Sequence, residues 1–400
     1  MFQLLKGDKV LWVILALLAL FSFLPVFSAS SNLVYVVGKG TPWGYLVKHF
    51  VILVIGFVLM YSVHKIPFHY FKGISILMLP VVLLLLIYTA SQGTVIEGAN
   101  ASRWVKIPFI GLSFQTSTLA SVVLMVFTAN HLSKPKLREI KFTKSLLQLW
   151  LPVFSVVLLI FPSNLSTAAL LFAMVLILAF VAHYPLRYLV TICGMGILAV
   201  LLFFLLVKAF PGQFPNRIDT WVSRIENFSS GQSEDGNYQV ARAKTAIVSG
   251  KIFGLGAGKS RMKNFLPQSS SDFIYAIIVE EFGLVGGIGL ILLYLLLLFR
   301  IVVIAHNTNN LFGKLTVVGL GIPIIFQAFI NIGVALQVLP VTGQNLPMIS
   351  SGGTSAWMTC IAMGIILSVS VKRSEAEAEA QQNESETTTN PIQILSETHY

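Results

Sequence analysis

Apolar runs of about 20 residues recur along almost the whole chain, and this feature restricts the fold more than any other. A helix of that length crosses the hydrocarbon core of a bilayer while bonding its own backbone polar groups. The composition agrees, because 56% of the residues are apolar and only 11% are charged, against about 25% in soluble domains. We predict an all-α polytopic membrane protein with about ten spans, at roughly 10–28, 45–63, 73–90, 117–131, 147–163, 166–182, 188–209, 273–299, 312–338 and 354–371.

The basic residues predict the orientation of these spans. The first run ends in small residues, as a signal peptide would, but its length favours an uncleaved anchor. With ten spans both termini lie on one side, whose loops and tails hold fourteen Lys and Arg residues. The opposite short loops hold four, and nine lie in one long loop. Because basic residues favour the cytoplasmic side, we predict two cytoplasmic termini and attribute the net charge of +11 to topology and anionic lipid rather than to nucleic acid.

Two regions depart from the pattern of spans within residues 1–373, which we predict to form one membrane domain. Residues 210–272 form a long extracytoplasmic loop between spans seven and eight, and loops of that length usually carry function. Residues 374–400 are acidic and polar and cannot bury a core. We predict that they form a disordered cytoplasmic tail.

The acidic residues contain the candidate catalytic group. Eight of the sixteen lie outside the predicted cytoplasmic loops and tail, and three of these adjoin the eighth span. Counting about 20 residues back from Arg300 places Glu280 and Glu281 near the outer interface and Asp272 at the mouth. Asp272 is then suited to act as a general base, or merely to cap the helix. The two glutamates take part in catalysis or form structural ion pairs.

A glycine-rich basic segment precedes Asp272. In GLGAGKSRMKN, alternating glycines give backbone freedom beside Lys259, Arg261 and Lys263, a combination that suits a phosphate. It is not a Walker loop, because Phe253 stands where that motif requires glycine. The alternative is a plain turn with interfacial lysines.

Three weaker signals complete the set. Arg103 and Trp104 in GANASRW are candidates for substrate binding or an interface anchor, and the Gly-Ser turn at 339–357 is a second candidate site or a re-entrant turn without chemistry. The seven histidines lack ligand spacing, and Cys193 and Cys360 both sit inside apolar runs. Neither a histidine metal site, a zinc site nor a disulfide framework is predicted.

Four separated segments, in the same order and covering nearly the whole chain, resemble the SEDS family (shape, elongation, division and sporulation). GANASRWVKIPFIGLSFQTSTLA is similar to the family's GA-x-RW…FQPSE, and PSNLSTAALL to its PDLGTA. NYQVARAKTAIVSGKIFGLGAGKS…LPQSSSDFIYAIIVEEFG resembles its YQ…A…SG…G-x-G…LPE…TDFIFA…EE-x-G stretch. NIGVALQVLPVTGQNLPMISSGGTS resembles its N…LPVTG..LPFISYGGS signature. The segment TGQNLPMISSGGTS, the compact loops and the polar tail favour the division type of the family over the elongation type.

This resemblance implies a peptidoglycan glycosyltransferase that polymerises lipid II on the outer face of the cytoplasmic (inner) membrane. It also implies a class B penicillin-binding protein (an FtsI-like transpeptidase) and divisome proteins as partners. The family's catalytic aspartate falls on Asp272. The departing undecaprenyl diphosphate needs positive charge, from basic side chains or from a divalent cation (Mg²⁺ or Mn²⁺), and no other cofactor is predicted. The candidate substrate-binding residues are Arg103, Trp104, Gln239, Lys259, Arg261, Lys263, Glu280, Glu281, Ser350, Gly352 and Gly353.

The chain also departs from the family's pattern. Thr118 and Ser121 replace a glutamate and a lysine, Asn164 replaces an aspartate, and Ser351 replaces a tyrosine. Roles of the lost charged groups cannot be carried over. Two other functions stay open, a flippase or transporter of lipid-linked precursor and a noncatalytic scaffold. A transporter would place ionisable groups near the midplane, which the predicted spans leave almost free of charge.

Overall fold

Ten apolar helices run through the part of the chain that the structure, a computed structural model, describes: residues 5–37, 41–91, 95–96, 99–100, 104–106, 113–135, 141–209, 234–266 and 269–389. Eight are long and apolar enough to cross a bilayer, and Thr116–Leu132 and Leu165–Val181 are shorter. The prediction of an all-α polytopic protein with about ten spans is confirmed. The helices are α1 (Lys9–Val37), α2 (Pro42–His64), α3 (Phe71–Ser91), α4 (Thr116–Leu132), α5 (Phe142–Ile160), α6 (Leu165–Val181), α7 (Leu186–Ala209), the amphipathic α8 (Glu234–Gly250), α9 (Ile274–His306), α10 (Leu311–Ala335) and α11 (Thr354–Thr389).

Short elements join these helices. A 3₁₀ turn, Phe68–Tyr70, precedes α3, and α5 contains a π-helical turn at Leu146–Trp150. The described residues between α3 and α4 form two antiparallel strand pairs, in the second of which Trp104 pairs with Gln115. The strands are β1 (Val95–Ile96), β2 (Ala99–Asn100), β3 (Trp104–Lys106) and β4 (Ser113–Gln115).

Polar side chains mark where several spans begin. Thr41 caps α2, and Asn310 caps α10, each by accepting a hydrogen bond from the backbone N–H three residues on. Asn164 caps α6 in the same way, with 3.3 Å between its Oδ1 and Thr167 N. Because Asn and Asp cap helices about equally well, the departure from the family's aspartate at this position preserves the cap.

Helix α10 lies at the centre of the bundle. It packs against α4, α6, α9 and α11, and α11 in turn packs along α2. Most of α11 up to Val371 is buried, whereas most of α7 is exposed. The bundle therefore has a continuous apolar interior, and α7 lies at its periphery.

One end of the bundle is closed by an ion pair, and we call it the Asp8 end. The Asp8 carboxylate contacts Arg300 near the end of α9, and Asp8 N donates to Ser370 Oγ of α11 (3.0 Å). Asp8 Oδ1 also accepts from Leu11 N (2.9 Å), which caps α1. The opposite end, where α4, α6, α9 and α11 begin, is called the Asp272 end.

Helix α11 continues to Thr389, through the first part of the tail for which the sequence predicted disorder from residue 374. The segment EAEAEAQQNE is rich in Ala, Glu and Gln, which have high helix propensity. Helicity there needs no buried face, because it extends a helix that has already nucleated. Residues 390–400 lie outside the described residues.

Replacing Asp8 is expected to destabilise the bundle in two separable steps. Asp8→Ala removes the cap of α1, worth about 1 kcal/mol, and leaves the half-buried Arg300 unpaired. Asp8→Asn keeps the cap and loses only the charge, so it should unfold at a temperature between wild type and Asp8→Ala. Thermal unfolding in detergent measures this order, and equal melting of all three proteins would contradict it.

Candidate functional site

Asp272 lies in the turn that leads into α9. It is half-buried, and its carbonyl accepts a hydrogen bond from Asn331 Nδ2 of α10 (2.9 Å). Phe273 occupies the N-cap position of α9 and makes no side-chain cap bond. The general-base and capping roles of the Asp272 carboxyl both stay predictions.

The loop between α10 and α11, residues 336–353, covers this turn. Ser350 Oγ donates to the Ser271 carbonyl (2.7 Å), and Ser351 N donates to the Ser270 carbonyl (2.9 Å). A methyl group placed on Gly343 would lie 3.4 Å from Asp272 Oδ2. The loop that carries the family's last signature thus lies directly against the candidate base.

Side chains from three spans hold this covering loop. Asn331 Nδ2, which binds Asp272, also donates to the Gln344 carbonyl (2.7 Å). The same loop accepts from Gln327 of α10 at the Asn345 carbonyl (3.0 Å) and from the Tyr294 hydroxyl of α9 at the Pro347 carbonyl (2.5 Å). Gln344 Nε2 reaches Thr167 of α6 (2.9 Å). Asp272 and its loop are therefore fixed by rigid helices, as a preorganised site requires.

The other predicted residues of this loop are near Asp272. Gly352 lies against the Asn345 side chain, and Gly353 adopts φ +51° with open space around it. The next residue, Thr354, accepts from Gln115 N (3.2 Å), which brings Trp104 of the neighbouring strand to the same end of the bundle. Arg103 lies outside the described residues.

Helix α9 is broken at Gly283, where φ is +70° and ψ is −171°. In an unbroken helix Leu284 N would bond to the Glu280 carbonyl, and Val285 N to the Glu281 carbonyl. Here the two N–H groups donate to the Lys251 carbonyl (2.9 Å) and the Ile252 carbonyl (3.2 Å) instead.

The carbonyls freed by this break also find partners in the segment after α8. Glu280 O accepts from Leu255 N, and Glu281 O accepts from Gly256 N, both at 2.9 Å. Residues 251–256 and the break in α9 thus exchange four backbone hydrogen bonds. Non-helical backbone at membrane depth requires such partners, since hydrocarbon offers none.

Two glycines make this close approach possible. A Cβ atom on Gly254 would lie 2.2 Å from the Glu281 carbonyl oxygen, and one on Gly283 would lie 2.2 Å from the Ile252 carbonyl oxygen. Both residues also have positive φ, which glycine adopts without strain.

Glu280 and Glu281 lie beneath the basic segment, with exposed fractions of 0% and 1%. Glu280 accepts from Ser260 Oγ, from Arg261 N (2.9 Å) and from Met262 N (3.2 Å). Glu281 accepts from Ser260 N (3.2 Å) and from Ser28 Oγ of α1. These contacts hold the basic segment onto α9 and α1, whereas direct contact of either glutamate with substrate stays a prediction.

The basic side chains of this segment differ in their exposure. Lys259 and Arg261 are exposed, whereas Lys263 is half-buried and donates to the Gly258 carbonyl (2.9 Å) and to Ser28 Oγ (3.3 Å). Gln239 is half-buried on α8, which packs along α9. Two exposed cationic side chains are thus presented on the segment that leads into Asp272.

No group of three or more His, Cys, Asp or Glu side chains is placed to hold a metal ion within the described part of the chain. Asp272 lies in the turn before α9, and Glu280 and Glu281 accept hydrogen bonds from the protein. The divalent cation remains a prediction, and no step of the reaction proposed for this site uses it.

Sequence reasoning missed Asn331, which ties Asp272 to its covering loop, and Ser28, which ties α1 to Glu281. A signal for Asn331 was present, since an amide inside an apolar run is costly unless it is bonded. Ser28 gave no comparable signal, because small hydroxyl residues are common in membrane helices.

Comparison with known proteins identifies related chains. Residues 8–375 match the model of the FtsW/RodA/SpoVE family, described as cell cycle protein. A probable peptidoglycan glycosyltransferase FtsW of Coxiella burnetii is 30% identical over 90% of this chain and 95% of its own length. The protein with the same description from Hydrogenovibrio crunogenus is 33% identical, with 90% and 91% covered. Stage V sporulation protein E of Bacillus subtilis is 30% identical, with 79% and 84% covered.

Solved structures share the fold over nearly the whole chain. The crystal structure of Thermus thermophilus rod shape determining protein RodA matches with a TM-score of 0.63 and 25% identity, covering 91% of this chain and 96% of that one. A second match is a structure of a peptidoglycan synthase complex, described in terms of its structural coordination of polymerization and crosslinking. Its TM-score is 0.72 and the identity is 25%. It covers 92% of this chain and 98% of that one.

A methyl group at the break of α9 tests the backbone exchange. Gly283→Ala would place Cβ against the Ile252 carbonyl and force positive φ on alanine. We expect a loss of at least about 2 kcal/mol, since backbone strain alone costs about 1–3 kcal/mol. Gly289→Ala on the same helix is the matched control, because nothing lies within 4 Å of its added Cβ. Thermal unfolding should separate the two variants, and equal melting temperatures would show that the break does not depend on glycine.

Proposed function

Because the chain belongs to the FtsW/RodA/SpoVE family of cell cycle proteins, we propose that it is a peptidoglycan glycosyltransferase that polymerises lipid II, with Asp272 as general base. The observation that carries the proposal is the fixed position of Asp272 under the covering loop, bonded through Asn331. The names of the curated relatives support the activity.

In the proposed reaction, the Asp272 carboxylate takes the proton from the 4-hydroxyl of the acceptor sugar. The hydroxyl oxygen forms a bond to the anomeric carbon of the donor sugar as that carbon's bond to the diphosphate oxygen breaks. A single in-line displacement inverts the configuration at this carbon, as in inverting glycosidases. A positioned base of this kind contributes typically 10²–10⁴-fold to a rate.

The departing undecaprenyl diphosphate takes the electron pair of the broken bond, so positive charge beside it lowers the barrier. Lys259 and Arg261 are exposed on the segment leading into Asp272 and supply that charge in this proposal. Lys263 holds the segment through the Gly258 carbonyl. Trp104, Gln239, Ser350, Gly352 and Gly353 remain proposed substrate-binding residues, as do Arg103, Glu280 and Glu281.

The orientation follows from charge. The Asp8 end carries the loops rich in Lys and Arg, so the positive-inside rule places both termini in the cytoplasm. In a cytoplasmic membrane the Asp272 end then faces outward, on the side where a lipid-linked sugar can be polymerised into cell wall.

A class B penicillin-binding protein is the proposed partner, since strands polymerised here still need crosslinking. The likeness to a peptidoglycan synthase complex supports this pairing. The FtsW relatives at 30–33% identity favour a role in cell division over one in elongation. Divisome proteins are then the wider set of partners.

Asp272→Asn tests the base. It keeps the size of the side chain and removes the proton acceptor, so polymerisation of lipid II by the purified protein with its transpeptidase partner should fall at least about 100-fold. Asp8→Asn makes the same chemical change at the opposite end and should retain activity below its melting temperature. Undiminished polymer from folded Asp272→Asn would exclude the general-base role, and a flippase without polymerase activity would give no polymer in any variant.

The double variant Lys259→Gln/Arg261→Gln tests the cationic side chains. Hydrogen bonds to charged groups are worth about 1.5–3 kcal/mol each, so we expect kcat/KM for lipid II to fall roughly 10-fold or more. Lys134→Gln, an exposed lysine in the loop after α4 at the Asp8 end, should leave it unchanged. Equal kcat/KM in both variants would remove Lys259 and Arg261 from the substrate site.

A further inference from the structure

The surface of α9 divides into a covered part and a lipid-facing part. All side chains from Ile274 to Glu281 are buried, whereas exposed apolar side chains begin at Leu284 and recur down to Val302. At 1.5 Å per residue this exposed run covers about 27 Å, close to the roughly 30 Å hydrocarbon core of a bilayer. Leu284 therefore marks the edge of the hydrocarbon at the Asp272 end.

The backbone exchange places the turn after α8 at this same depth. The Lys251 and Ile252 carbonyls accept hydrogen bonds from the N–H groups of Leu284 and Val285. The turn is thus fixed beside the first lipid-facing residues of α9.

Three apolar side chains at the end of α8 and in the turn after it are exposed. Phe253 is 83% exposed, Val248 is 76% exposed and Ile252 is 58% exposed. Together with Leu284 and Val285 they continue the lipid-facing band of α9. A contiguous exposed apolar patch of this kind marks an interaction surface, and its continuity with the band identifies acyl chains as the partner.

The charge of the segment fits a lipid head group. Residues 238–266 contain six Lys and Arg residues and no Asp or Glu. Lys244 lies one helical turn before Val248 on α8, Lys251 directly precedes Ile252, and both lysines are exposed. Long basic side chains at the edge of an apolar surface extend toward phosphate groups.

We propose that residues 248–253 insert into the bilayer leaflet at the Asp272 end, with Val248, Ile252 and Phe253 among the acyl chains. Lys244 and Lys251 bind the phosphates of anionic phospholipids at the surface of that leaflet. The inserted turn anchors the basic segment, which follows it along the chain, at the membrane surface. This inference does not rest on the proposed glycosyltransferase activity.

A nitroxide label at residue 253 tests insertion. The full chain, with Cys193→Ser and Cys360→Ala to remove its native thiols, is labelled at Phe253→Cys and reconstituted in vesicles of phosphatidylcholine and phosphatidylglycerol. Leu292→Cys, an exposed position farther along α9, is the lipid reference, and the exposed loop position Lys134→Cys is the water reference. We expect the label at 253 to collide with oxygen as the one at 292 does and to be shielded from a water-soluble nickel chelate.

Exposure of residue 253 to the chelate, to the degree seen at 134, would overturn insertion. Val248→Cys gives a second reading in the same inserted segment should Phe253→Cys misfold.

The lysines are tested with spin-labelled lipids, whose motionally restricted fraction should be larger for phosphatidylglycerol than for phosphatidylcholine. That excess should fall in Lys244→Gln/Lys251→Gln, and an unchanged excess would overturn binding of anionic head groups by these two lysines.

Discussion

A helix that breaks at the edge of the hydrocarbon core must find new partners for the backbone groups it frees, because hydrocarbon supplies none. In α9 these partners come from residues 251–256, which exchange four hydrogen bonds with the two sides of Gly283. Each freed group would otherwise cost several kcal/mol. The exchange therefore holds residues 251–256 against α9 by backbone hydrogen bonds, as neighbouring strands are held in a sheet. The rest of the Asp272 end is arranged around this contact.

The exchange also explains the two buried glutamates. Once residues 251–256 lie against α9, the chain that follows passes over Glu280 and Glu281, whose carboxylates accept the N–H groups and the hydroxyl of residues 260–262. Ser28 joins α1 to the same cluster. Buried carboxylates are tolerated only when they are bonded in this way. Their hydrogen bonds hold in place the segment that displays Lys259 and Arg261. The Asp272 turn is held separately by Asn331 and Ser350.

The fold was largely predictable from sequence, because each span is a local property of apolar residues and the bilayer sets its length. The place of Asp272 just before a span was also predictable, whereas its role as the general base stays a proposal. The sequence identified the motifs, but it did not show which of their residues lie next to Asp272. In the structure, Gly343 and Ser350 of the last motif lie against the Asp272 turn. The helix that continues to Thr389 follows from the propensity of Ala, Glu and Gln, which was not considered when the tail was predicted from its composition.

The break in α9 could not be predicted from local sequence. Glycine is common in membrane helices, so Gly283 in FGLVGGIG gave no more signal than Gly286 or Gly289. What distinguishes Gly283 is the approach of the Ile252 carbonyl from a segment some thirty residues away. Such a contact is set by tertiary structure, and the same holds for the pairing of Ser28 with Glu281.

Hydrogen exchange at the amides of Leu255, Gly256, Leu284 and Val285 tests the central claim most directly. Residues 251–256 and the break in α9 are bonded to each other through these four amides. All four should then exchange as slowly as the amides in the middle of α9, around Leu290–Leu297, in detergent-solubilised protein. Fast exchange at Leu284 and Val285, at the rate of an exposed loop, would mean that the break is open to water and that residues 251–256 do not hold it.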